Sequence, residues 1–177
     1  RDRPGPGHWI DLASAERQGS GAATFVSVRF RGEPREFGDD PTPFGRLDVD
    51  VQIDSQTDRS VESMAVVIRS QSGTKLVDAN IASQGRSLHL KAGRNVVTFR
   101  IASLNLNPGV YSVGLWMAGA VSWASVIDHI DAAFDLDTQD EGVQHLGAGQ
   151  AVLLRQREQR GRDRRRRVDH GVQMRVV

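Results

Sequence analysis

Apolar and polar residues alternate in short blocks along most of this chain. In Arg46–Asp54, Leu47, Val49, Val51 and Ile53 alternate with Asp48, Asp50, Gln52 and Asp54. A period of two places successive side chains on opposite faces of a strand, so the block predicts a strand with one buried face. Ala22–Phe30 sets Thr24, Val26, Val28 and Phe30 against Phe25, Ser27 and Arg29. Ser63–Ser70 sets Met64, Val66 and Ile68 against Ala65, Val67 and Arg69. Asn95–Ile101 sets Val97, Phe99 and Ile101 against Val96, Thr98 and Arg100. After a Pro108-Gly109 turn, Tyr111, Val113, Leu115 and Met117 face one way, and Ser112, Gly114 and Trp116 the other. Lys75–Asn80 and Ala132–Asp137 complete the set of at least seven short strands.

The intervening segments carry turn chemistry. Gly32, Pro34, Gly38, Pro41, Pro43 and Gly45 punctuate the segment between the first two strands, and Ser72-Gly73 turns the chain toward Lys75. No long helical period and no internal repeat appears. Short alternating strands between Gly, Pro and Asn predict an all-β fold, an antiparallel β-sandwich of immunoglobulin-like or jelly-roll-like type. Residues 1–21 read as an N-terminal arm, 22–138 as the sandwich and 139–177 as a flexible, arginine-rich tail. In that tail Gly142–Gln150 is polar, Ala151–Leu154 is a brief apolar run, and Arg155–Arg167 has almost nothing to bury.

Composition narrows the function. Hydrophobic residues make up 38% of the 177, which agrees with part of the length lying outside a core. The net charge of +1 averages an acid-bearing sandwich with a basic tail, and so points to no partner by itself. Cysteine is absent, which excludes disulfides, thiol catalysis and cysteine metal sites. No apolar run approaches the roughly 20 residues of a membrane helix. The chain opens at Arg1 with neither an initiator methionine nor a signal segment, so it reads as a piece of a longer protein in the cytoplasm.

Several segments, in order, carry a resemblance. Trp9-Ile10-Asp11-Leu12 and Arg17-Gln18-Gly19-Ser20-Gly21 lead into the first strand. Arg46–Asp54 and Val67-Ile68-Arg69-Ser70-Gln71-Ser72-Gly73 follow. Leu106-Asn107-Pro108-Gly109-Val110-Tyr111 introduces the strand that bears Trp116, and Ile127-Asp128 leads to Ala132-Ala133-Phe134-Asp135-Leu136. Over roughly residues 8–138 the series resembles the C-terminal carbohydrate-binding domain of Wzt-type proteins, the ATP-binding subunits of ABC exporters for O-antigen and related polysaccharides. The resemblance implies a β-sandwich that recognises the exported glycan, and often a homodimer that exchanges its terminal strand. It implies partnership with the exporter's membrane and ATPase subunits, peripheral to the inner membrane. Two departures stand out. The Gly-x-x-x-x-Gly-Lys-Ser/Thr phosphate loop is missing, so ATP hydrolysis is not expected of this chain. The arginine-rich end differs from the family's closing segment, so no terminal strand is read there.

Candidate site residues come from alternation. Sugar rings stack their C–H faces on aromatic rings, while carboxylates, amides and guanidinium groups hydrogen-bond the hydroxyls. A tryptophan on the solvent face of a sheet suits that role. Trp116, Asp48, Asp50, Gln52, Arg69 and Arg100 are the expected carbohydrate contacts, if their strands share one sheet. An ordinary solvated sheet face shows the same alternation. Trp123 is either a loop-borne platform or a plug at one end of the core, and Trp9 is expected to anchor the arm. Asp128, His129, Asp131, Asp135 and Asp137 lack the spacing of a calcium loop or a zinc site, so no metal or cofactor is expected. A Gly-x-Ser-x-Gly elbow is absent, and no carboxylate pair is singled out for glycoside hydrolysis. The arginine cluster lacks aromatic interleaving, so a specific nucleic-acid partner is not expected. The alternative to glycan recognition is a structural or dimerisation sandwich without a glycan site.

Overall fold

The structure, a computed structural model, describes residues 5–34, 39–120, 123–138 and 172–176, with the backbone alone at Trp123 and at 172–176. In chain order its strands are β1 (Ile10–Asp11), β2 (Ala23–Arg31), β3 (Leu47–Ser55), β4 (Arg59–Val61), β5 (Ser63–Arg69) and β6 (Lys75–Asn80). They continue as β7 (Leu88–Leu90), β8 (Gly93–Ile101), β9 (Gly109–Ala118), β10 (Val126–Thr138) and β11 (Val172–Val176). One sheet runs β1-β2-β3-β8-β11 and the other β10-β9-β5-β6, every neighbouring pair antiparallel. β4 and β7 form a separate two-stranded ribbon. The fold is therefore an all-β antiparallel sandwich.

The core lies between the two sheets. Val49, Val51 and Phe99 of the five-stranded sheet and Met64, Val66 and Leu115 of the four-stranded sheet are all buried in one cluster. The Phe30 and Phe134 rings stack across the layers at 5.0 Å between centroids and 3° between planes. Aliphatic burial of this kind stabilises by about 25 cal/mol per Å² of apolar surface removed from water.

Two of the register shifts in the sheets shape the sandwich. In β2 the register with β3 shifts between Phe25 and Ser27. The extra residue slips the alternation by one, so Ala23 and Phe25 enter the core together with Val28 and Phe30, while Thr24 and Val26 are half-buried. This corrects the sequence expectation, which set Phe25 against Val28 and Phe30. In β10, Ile130 faces Leu115 and Phe134 faces Val113. Three residues, Asp131–Ala133, thus stand opposite Gly114 alone. A Cβ on residue 114 would sit 2.6 Å from the Asp131 carbonyl oxygen and 2.9 Å from that of Ile130. Only glycine lets the bulge pass this close.

The N-terminal arm is part of the sandwich. β1 pairs with the β2 edge, and Leu12 is buried in the core. The chain end also differs from expectation at one place: within the segment read as a flexible tail, β11 pairs with β8 from Val172↔Ile101 to Val176↔Val97. Val172, Met174 and Val176 alternate with Gln173 and Arg175, a signal too short to stand out beside the arginine run. Arg155–Arg167 and the side chain of Trp123, for which expectations were given, lie outside the described residues.

Candidate functional site

The two sheets have two outward faces, and the expected site residues divide between them. On the five-stranded sheet, Asp48, Asp50 and Gln52 of β3 adjoin Arg100 of β8. Arg100 holds Asp48 through two parallel bonds, Nε to Oδ1 at 2.9 Å and a terminal nitrogen to Oδ2 at 3.1 Å. Arg29 and Arg31 both donate to Oδ2 of Asp50, at 2.8 and 2.9 Å, while the Thr98 hydroxyl donates to Oδ1 at 2.6 Å. Gln52 accepts from Ser27 and Arg94, each at 2.9 Å. Burial pushes the Asp50 carboxyl up, but Thr98, Arg29 and Arg31 outweigh it and hold the group below its usual range. The hydrogen bond and the charge of Asp48 raise Arg100 above its ordinary value. The buried carboxylates of this face are engaged with their own neighbours.

Trp116 and Arg69 lie on the opposite side of the molecule, on the four-stranded sheet. These six residues therefore do not form one surface. Alternation tells which side chains of a strand point outward, but not which sheet the strand joins.

Around Trp116 the four-stranded sheet carries a depression of about 250 Å³. Its floor includes Ala65, Val67 and Gly114, and its polar rim includes Arg69, Asp78 and Asn80. The indole N–H of Trp116 donates to Ser63 Oγ at 3.1 Å, and the Asn80 amide donates to the same oxygen at 3.2 Å. The imidazole of His129 meets the indole edge-on, at 5.3 Å and 66°. These contacts fix the ring in place. Lys75 and Asp78 pair across the rim at 2.7 Å.

The β10 bulge stands beside the depression, against Arg69. Arg69 donates to the Asp131 carbonyl at 3.4 Å and lies 3.6 Å from its carboxylate, while His129 Nε2 is 3.3 Å from that carboxylate. Ser63, Lys75, Asp78, Asn80 and His129 were not among the expected contacts. Lys75–Asn80 was legible as a strand, but its outward face was not. In the sequence His129 stands out only beside aspartates that lack metal-site spacing.

Asp128, the residue before His129, has a different task. Its carboxylate accepts the Phe25 N–H at 2.7 Å and Arg17 at 3.2 Å. It thus ties β10 to the bulged part of β2 and to the arm. Burial is the leading influence and raises its carboxyl, against the lowering effects of the Phe25 N–H and Arg17. Among the described residues no group of three or more His, Cys, Asp or Glu is placed to hold a metal ion. No helix there is long and apolar enough to cross a membrane.

The family model described as "Wzt C-terminal domain" matches residues 14–149. The crystal structure of the C-terminal domain of Wzt superposes with a TM-score of 0.59 at 20% identity, over 73% of this chain and 80% of that one. At that identity the likeness concerns the fold. The X-ray structure of a Northeast Structural Genomics Consortium target aligns at 14% identity over 71% of this chain and 92% of that one, with a TM-score of 0.38, too low to support an argument. No curated protein matches.

Proposed function

Because this chain belongs to the Wzt C-terminal domain family, we propose that its sandwich recognises an exported polysaccharide without catalysis, as the substrate-binding domain of an ABC exporter's ATP-binding subunit. The observation that carries this reading is the fixed indole of Trp116 in an outward depression rimmed by hydrogen-bonding side chains. A sugar ring lies its C–H face on such a ring, and the rim groups bond its hydroxyls. Arg69, Asp78 and Asn80 take the rim role. Asp48, Asp50, Gln52 and Arg100 brace the five-stranded sheet instead.

Each sugar contact is weak, so recognition draws on several units of an O-antigen-like glycan or on two copies of the domain in a homodimer. The domain acts at the cytoplasmic side of the inner membrane, held there by the exporter's membrane and ATPase subunits. Glycan capture couples substrate identity to transport.

Trp116→Ala tests the reading by calorimetry with the polysaccharide of the source cells. The expected result is a loss of about tenfold or more in affinity, equivalent to about 1.4 kcal/mol, with the fold retained. Unchanged affinity removes Trp116 from the site. One observation favours a second reading, a dimerisation module. β6 is the edge of its sheet, and its Leu76 is 45% exposed. That reading predicts self-association abolished by Leu76→Lys, and no saturable glycan binding.

A further inference from the structure

A second concavity, of about 740 Å³, lies between the N-terminal arm and β10. We propose that this groove is the other half of the glycan site. It joins the Trp116 depression at His129, so that the two form one track for several consecutive uncharged sugar units. The inference rests on the reading given above.

Size is the first argument. Ligand pockets run about 300–1,000 Å³. The depression of about 250 Å³ falls short of that range, and the groove of about 740 Å³ lies within it. Continuity is the second, since His129 lines both concavities. The β10 bulge stands at the junction. Asp131 lines the groove, and its carbonyl and carboxylate meet Arg69 of the depression.

The groove is held open by fixed structure. Gln18 and His129 exchange backbone hydrogen bonds at 3.0 and 2.8 Å, and Arg17 pairs with Asp128 beneath them. Gly19 follows at φ +132°, where a Cβ would lie 2.5 Å from the Ile127 carbonyl oxygen, so the arm and β10 meet there backbone to backbone. At the other end Trp9 lies over the Arg29 guanidinium at 4.5 Å, which orients its ring while 39% of its surface stays exposed. Trp9, a lining residue of the groove, is thus held against the five-stranded sheet.

Charge selects the ligand class. Among the described residues, Asp11, Glu16, Asp131 and Asp135 line the groove, and the one guanidinium there, that of Arg17, is already paired with Asp128. Carboxylates accept hydrogen bonds from sugar hydroxyls and repel acidic sugars. The track fits uncharged units.

The test is calorimetry on the full chain with length-sorted fragments of the source cells' polysaccharide. Wild-type affinity is expected to rise at least about tenfold from about two to about six sugar units. Trp9→Ala and Glu16→Ala should each lose most of that rise and keep the affinity for the shortest fragments. Trp9→Phe, which keeps a ring, should retain the rise, and Trp116→Ala should weaken every length. Glu16 is exposed and makes no anchoring contact in the arm's attachment described above, so its variant tests the groove apart from folding. Wild-type affinity that is flat with length overturns the track. So do Trp9→Ala and Glu16→Ala variants that follow wild type at every length while Trp116→Ala is weakened, and that result leaves the Trp116 site standing. Loss with Trp9→Ala but not with Trp116→Ala overturns the joining of the two concavities. Silence of the wild type toward all fragments overturns the proposed function itself, and this inference with it.

Discussion

Two buried carboxylates behave in opposite ways because their surroundings differ. Asp50 accepts from three side chains, and its carboxyl is held below the ordinary value. A group depressed on folding contributes stability above its unfolded pKa of about 3.9 and loses it as pH falls through the folded value. Asp50→Asn should therefore flatten the acid limb of the stability profile below about pH 4, measured by urea unfolding. An equally steep limb in that variant would assign the acid sensitivity elsewhere. Asp128 is raised by burial despite the Phe25 N–H and Arg17. Its contribution is full below the unfolded pKa and lost as pH rises through the folded value. Wild-type stability should accordingly decline relative to Asp128→Asn as pH rises above the unfolded value of about 3.9. A rising difference contradicts this. Asp128→Ala strands the Phe25 N–H and Arg17 and should cost about 3 kcal/mol, the low end for a buried pair because Arg17 is partly exposed.

At the scale of elements, the seven alternating blocks all became strands, because a period of two with β-branched and aromatic residues leaves few alternatives. The phase of β2 was not legible. Its bulge is fixed by partners far along the chain, including the Asp128 carboxylate that takes the Phe25 N–H. β1, β4 and β7 are two or three residues long, too short to show a period. The candidate site was legible in part. The outward orientation of Trp116 followed from Tyr111–Met117 alone, whereas sheet membership, which separates Asp48 and Arg100 from Trp116, is a property of pairing between distant segments. The β10 bulge makes a prediction at this scale. Gly114→Ala must push the Ile130 and Asp131 carbonyls aside, and should destabilise by about 1–3 kcal/mol while shifting Asp131 against Arg69. Thermal unfolding and the backbone amide spectrum of residues 129–134 check it. A variant as stable as wild type, with those amides unmoved, would show that the close approach does not hold the bulge.

For the molecule as a whole, the two sheets divide the work. The five-stranded sheet carries a network of arginines and aspartates on its outer face, which braces the sandwich. The four-stranded sheet and the arm carry the concavities. Chain ends matter to this division, since β1 and β11 form the two edges of the braced sheet. The proposed function stands on glycan binding over Trp116. The most direct measurement is an NMR titration of the full chain with the source polysaccharide, following the indole N–H resonances of its three tryptophans. The predicted result is a saturable shift of the Trp116 resonance, whose N–H lies against Ser63 beneath the depression. Saturable binding that leaves Trp116 unmoved, or no saturable shift in any resonance, would contradict glycan binding at this site.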